Sequence, residues 1–204
     1  MAPTRRAYAN RTDYVNMTDL SSEIVTPASG PPPRDDSRAK GETTLIELIE
    51  LLFFAYRDFT NDPDVILAEF QFGRAHHRIL HFVDRHPGLR VADLLDILKI
   101  TKQSLARVLR QLVANGFIEQ RLGEADRRER RLYTTATGHG LARRLLAPQI
   151  ERVRTALRNA HGDTEPKVVE AFLFAMIEPG ERRRVEILME ETVRHVAQRR
   201  GEQP

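Results

Sequence analysis

Apolar residues are few and aperiodic over residues 1–41, where Pro27, Pro31, Pro32 and Pro33 lie among Ser, Asp and Arg. Such a stretch buries too little apolar surface to offset the entropy of ordering it, so it reads as a disordered arm. Met17 is an equally plausible start, and translation is expected to begin there. The pattern changes at Leu45. Leu45, Ile46, Leu48, Ile49, Leu51, Leu52, Phe53, Phe54 and Tyr56 make a helix apolar round most of its circumference, with Thr43 or Thr44 as N-cap and Pro63 as its interruption. A helix of this kind must be buried on most sides, and near a domain edge its cover is another subunit. A second helix over residues 73–85 turns Phe72, His76, Ile79, Leu80 and Val83 inward, and His86, Pro87 and Gly88 end it.

Two short helices follow. Val91, Leu94, Leu95 and Leu98 stand at i, i+3, i+4 and i+7 over residues 91–98, and Lys99 and Ile100 form a turn. Thr101 caps the next helix, which turns Leu105, Val108, Leu109 and Leu112 inward and stops at Gly116. Its outward set is Lys102, Gln103, Ser104, Arg107, Arg110 and Gln111. Two helices on a tight turn, the second polar and basic outside, are a helix-turn-helix. The period then becomes that of strands, over 117–121 and 131–135, around a charged turn from Leu122 to Arg130. This is a winged helix. Thr137 is expected to cap a helix to about residue 161, Pro166 to open another, and a last amphipathic helix to run over 181–196. The fold class is therefore mainly α with a small β-hairpin wing. The domain reading is an arm (1–41), an N-terminal dimerisation helix (42–71), a winged helix-turn-helix (72–136) and C-terminal dimerisation helices (137–204).

Charge sharpens the picture. The formal net charge is only +3, yet residues 42–75 carry seven acids against two Arg, and residues 99–131 carry nine basic residues against four acids. A basic segment in a nearly neutral chain is a local nucleic-acid footprint. The helix at 101–115 has no acid at all, whereas an ordinary surface helix mixes both signs. Gln103 suits adenine N6 and N7, and Arg107 or Arg110 suits guanine O6 and N7. Thr101, Lys102, Ser104 and the free amides of the first turn suit phosphate. On the wing, Arg127, Arg128, Arg130 and Arg131 crowd one tip. Asp126 is assigned to hold these arginines and Arg128 to enter the minor groove. The chain has no Cys, which excludes disulfides, thiolate metal sites and thiol sensing. Arg5, Arg6 and Arg11 are followed by no apolar run, so no secretory signal is read and a cytoplasmic protein is expected.

The segment over residues 89–141 resembles the winged-helix core of the MarR transcription regulators. The family's wing pattern is matched by Asp126, Arg128, Arg130 and Arg131, and its Thr, two residues, Gly pattern by Thr137 and Gly140. The resemblance extends over about 43–196, and the wording at 50–60, 72–83 and 100–112 is similar to the PetP-type subgroup. It implies a homodimer on a pseudo-palindromic operator in double-stranded DNA, often released by a small ligand. The long arm and an insertion near Gly162 depart from the family pattern.

The histidines offer rival chemistry. His77 and His81 stand at i, i+4, and with His76 and His86 they make a cluster that fits a metal-responsive regulator. Arg78 follows His77 where a zinc hydrolase wants Glu, so no enzyme and no cofactor is expected. A cleft bordered by Tyr56, His76, His77 and His81 is expected to take an organic anion or other small ligand as effector. A helical interaction or scaffold protein of winged-helix shape remains the other alternative. The arginine density on wing and helix separates the readings, since a scaffold has no use for it.

Overall fold

The computed structural model describes residues 36–123, 129–160 and 165–201, with side chains described between 41 and 194 of those ranges. The chain divides into two units, residues 1–44 and residues 45–204. Of the first, the described part is the opening of helix α1 (Asp36–Ala68). The other elements all belong to the second: α2 (Arg74–Arg85), β1 (Leu89–Arg90), α3 (Val91–Leu98), α4 (Lys102–Ala114), β2 (Ile118–Leu122), β3 (Arg130–Thr134), α5 (Ala136–Asn159), α6 (Pro166–Ala175) and α7 (Pro179–Gly201). Among the described residues the strands form one antiparallel sheet in the order β1-β3-β2. The architecture is the mainly helical winged helix with flanking helices.

Helix α1 differs from expectation at two places. It starts at Asp36, so Thr43 and Thr44 lie inside it and residues 36–41 are helical rather than part of a disordered arm. The last proline before it is Pro33, and Ala39, Lys40 and Glu42 are good helix formers. It also runs through Pro63, which is fully buried. Proline has no N–H for the carbonyl four residues back, here that of Phe59. The Gln149 side chain from α5 supplies the missing donor, its Nε2 donating to Phe59 O at 3.3 Å.

The helix-turn-helix forms as the periodicity predicts. Lys99 sits in the left-handed region (φ 51°) as the C-cap of α3. Thr101 caps α4, its Oγ1 accepting from Ser104 N at 3.1 Å. Leu105, Val108, Leu109 and Leu112 are all buried, each worth roughly 1.5–3 kcal/mol relative to exposure. They meet Ile79, Leu80 and Val83 of α2, Leu94 and Leu98 of α3, Leu132 of β3 and Leu141 and Leu145 of α5 in one core. Gly116 ends the turn after α4 at φ 73°.

The sheet holds a third strand that the sequence reading lacks. Leu89 and Arg90 pair with Leu132 and Arg131. Two residues are too short for an alternation signal, and only β3 makes them a strand. The cap of α5 also moves. It is Thr135, not Thr137, whose Oγ1 accepts from Gly138 N at 3.0 Å and donates to Gly116 O at 2.6 Å. The Thr, two residues, Gly pattern is thus carried by Thr135 and Gly138. A Cβ on Gly138 would lie 1.9 Å from Phe117 O, while Gly140 has nothing within 4 Å. Helix α7 opens at Pro179, two residues earlier than expected, because proline costs nothing in a first helical turn. Residues 161–164, with the expected insertion near Gly162, lie outside the described residues.

Candidate nucleic-acid interface

Helix α4 presents an exposed outer face. Lys102, Gln103 and Arg107 are exposed, with no hydrogen bond or ion pair among the described residues. Arg110 donates from Nε to Ala106 O at 3.3 Å, which leaves the rest of its guanidinium outward. Ser104 is part of the cap, its Oγ accepting from Thr101 Oγ1 at 2.9 Å. Gln111 is committed on one side, with Oε1 2.8 Å from Nε2 of His76 at the start of α2. All six side chains of the outward set lie on one exposed surface opposite the buried leucines.

The wing contributes beside it. Gly123 N bonds Glu129 O at 3.1 Å and closes the base of the hairpin. Asp126, Arg127 and Arg128 lie outside the described residues. Arg130 opens β3, is exposed, and lines a groove of about 560 Å³ together with Lys102 and Arg110 of α4, over a floor that includes Val91, Leu95 and Leu109. Three cations from two elements thus share one channel. The residue seen holding arginines in place is Glu129, which takes Arg131 at 3.1 Å and Arg90 at 3.3 Å. Arg90 is further held by Asp93 at 2.7 Å. The two carboxylates raise the Arg90 pKa, and Arg90 holds the Asp93 carboxyl below the usual carboxylate range. Arg90 escaped the sequence reading because it lies 39 residues from Glu129. The only local sign was its i, i+3 relation to Asp93.

One expected cation is neutralised. Lys99, counted in the basic segment, is paired with Glu181 of α7 at 2.8 Å, and Arg184 of α7 takes Asp96 of α3 at 3.0 Å. These pairs seat α7 against the helix-turn-helix.

The expected cleft is divided. His76 is buried, stacked on Phe72 with ring centroids 4.4 Å apart. Tyr56 is exposed on α1. His77 and His81 meet edge to face at 6.4 Å. Of the four residues, only His81 lines the cavity of about 600 Å³ between α2, α3, α5 and α7, where it joins Arg85, His86, Leu146, Arg184 and Leu188. Tyr56 belongs to α1, His76 is turned about 140° from His81 on α2, and His77, on the same face as His81, stands one turn back along the helix. Burial lowers the His77 pKa and takes that of His81 down to about 4. His86 stands between α2 and α7, with Nδ1 3.5 Å from Glu191 and Nε2 3.3 Å from Thr192 Oγ1. Among the described residues, no group of three His, Cys, Asp or Glu is placed to hold a metal ion, so the His76 to His86 cluster does not assemble as a metal centre.

Residues 70–129 match the model of the MarR family. Over 164 residues the chain is 46% identical to the HTH-type transcriptional regulator PetP of Rhodobacter capsulatus, covering 75% of this chain and 96% of that one. The chain belongs to the MarR family. It is a MarR-type transcriptional regulator, and its backbone agrees with that of solved family members. A SlyA-like transcription regulator from Listeria monocytogenes superposes with a TM-score of 0.52 at 15% identity, covering 76% of this chain and 95% of that one. A MarR-family regulator from Silicibacter pomeroyi gives 0.51 at 19% identity, covering 62% and 82%. Among the described residues no helix is long and apolar enough to cross a membrane.

Proposed function

We propose that this MarR-type regulator binds double-stranded DNA sequence-specifically, as a homodimer on a pseudo-palindromic operator in the cytoplasm, and is not an enzyme. The observation that carries the reading is the outer face of α4, exposed, basic and without one acid, with Lys102, Gln103 and Arg107 unengaged among the described residues and Arg130 alongside. Helix α4 is the recognition helix, with Gln103 and Arg107 toward base edges and Lys102, Ser104 and the first-turn amides on phosphate. The wing residues Asp126, Arg127 and Arg128 complete the contact in this reading.

The dimer rests on exposed apolar surface. In one chain Phe53 is 69% exposed, Leu45 and Leu51 are each 61% exposed, and Phe172 and Leu173 of α6 and its C-cap Met176 are exposed as well. Apolar exposure on this scale marks an interface. An effector with an apolar body suits the cavity of Phe82, Leu146 and Leu188, with Arg85 to take an anionic group because Arg184 is held by Asp96, and it regulates by binding two spacings of the recognition helices unequally.

The test is retention of a random-sequence duplex and of duplexes selected from that pool, across a range of salt. Binding is expected to weaken linearly in log K against log salt. Arg130→Ala is expected to flatten that slope, and Arg107→Ala to lower the ratio of selected to random affinity with less change in slope. Absence of retention at low salt overturns the reading.

A further inference from the structure

We infer that Gln111 donates to a DNA backbone phosphate and does not read adenine, because His76 has already taken its carbonyl oxygen. This rests on the proposal that α4 enters the major groove.

The polarity is set by a backbone group whose chemistry is fixed. Gly73 N–H, which can only donate, lies 3.1 Å from Nδ1 of His76. Nδ1 therefore accepts, and in the neutral ring the proton sits on Nε2. Nε2 is 2.8 Å from Gln111, so the atom facing it is the acceptor Oε1. The Phe72 ring, parallel to the imidazole within 5° at 4.4 Å, keeps the plane from turning. The Gln111 amide nitrogen, with no partner among the described residues, is left outward as a donor only.

Adenine readout by Gln needs both halves of the amide, the oxygen for N6–H and the nitrogen for N7. Only the nitrogen remains. Gln111 is also placed off the ridge. Gln103, Arg107 and Arg110 run opposite the buried line of Leu105, Val108 and Leu112, while Gln111 is turned about 100° from Arg110 toward α2. A helix in a groove meets the phosphate wall along its flank, so the acceptor within reach of that nitrogen is a phosphate oxygen.

The experiment compares the full-length wild type with Gln111→Met and Gln111→Glu on a duplex selected from a random pool and on an unrelated duplex. Gln111→Met is expected to weaken both by a similar factor, about tenfold. The salt slope should stay unchanged, since a neutral amide displaces no counterion. Ethylation of one phosphate per half-site, which weakens the wild type, should no longer matter to Gln111→Met. Gln111→Glu keeps the bond from His76 and aims a negative charge at the phosphate, so it should bind less well than Gln111→Met. It carries the test alone if the Met variant does not fold. Sites selected on Gln111→Met that lose an adenine preference overturn the inference, as does unchanged affinity for both duplexes. A wild type that retains neither duplex overturns the DNA reading itself.

Discussion

Gly138 and Gly140 stand two residues apart in α5, and their replacement by alanine should have opposite effects. On Gly138 a Cβ would lie 1.9 Å from Phe117 O, 2.8 Å from Phe117 C and 3.2 Å from its Cα. Restoring van der Waals contact needs the two backbones to separate by about 1.5 Å. That separation breaks a compact junction. Phe117 O accepts from Thr135 N at 3.1 Å, Thr135 Oγ1 donates to Gly116 O at 2.6 Å, and Gly138 N donates to Thr135 Oγ1 at 3.0 Å. Overpacking costs about 2 kcal/mol and each bond lost about 1 kcal/mol net. Alanine in a helix returns about 1 kcal/mol. With two of the three bonds lost, the net destabilisation is about 3 kcal/mol. Gly140 has nothing within 4 Å, so Gly140→Ala should gain about 0.5–1 kcal/mol from propensity alone. Urea unfolding at one fixed protein concentration measures both, the concentration being held because association adds to apparent stability. A Gly138→Ala protein within about 0.5 kcal/mol of wild type, or equal losses at the two sites, refutes the assignment of Thr135 and Gly138 as the cap and close-approach pair.

Gln149→Leu should cost about 1–3 kcal/mol by stranding Phe59 O, and Pro63→Ala in the same chain should recover part of it by restoring the helical N–H; a double-mutant cycle with no coupling refutes the pairing. Phe53→Glu with Leu51→Glu should shift the sedimenting species from dimer to monomer at low micromolar concentration, and an unchanged dimer places the interface elsewhere. Burial lowers the His81 pKa from 6.5 to about 4, so the unfolded chain takes up the proton first and stability is lost as pH falls through that window. The loss is at most about 3 kcal/mol. His81→Leu should flatten the unfolding midpoint over that pH range relative to wild type; parallel profiles count against a half-buried neutral imidazole.

Local signals in the chain were enough for the helix-turn-helix. Thr101, the spacing of Leu105, Val108, Leu109 and Leu112, and Gly116 act within one or two helical turns, so their physics is complete in a short window. The acid-free outer face of α4 was legible for the same reason, and the family resemblance rested on similarly local words, the wing run from Asp126 to Arg131 and the Thr, two residues, Gly pattern. What lay beyond reach depended on partners far along the chain. Pro63 looked like a helix end because its remedy, Gln149, is on α5. Leu89 and Arg90 became a strand only against β3. Thr135 and Thr137 are equivalent as words, each followed three residues later by a glycine, and only the approach of Phe117 O to Gly138 chooses between them. Four histidines close in sequence read as a cluster, but the turn of α2 sent His76 to Gln111 and Phe72, and His81 to the cavity under α7. Gln111 shows the division most clearly. Its outward position follows from helical period, while the donor-only character of its amide comes from a histidine 35 residues away, held in one tautomer by a backbone N–H.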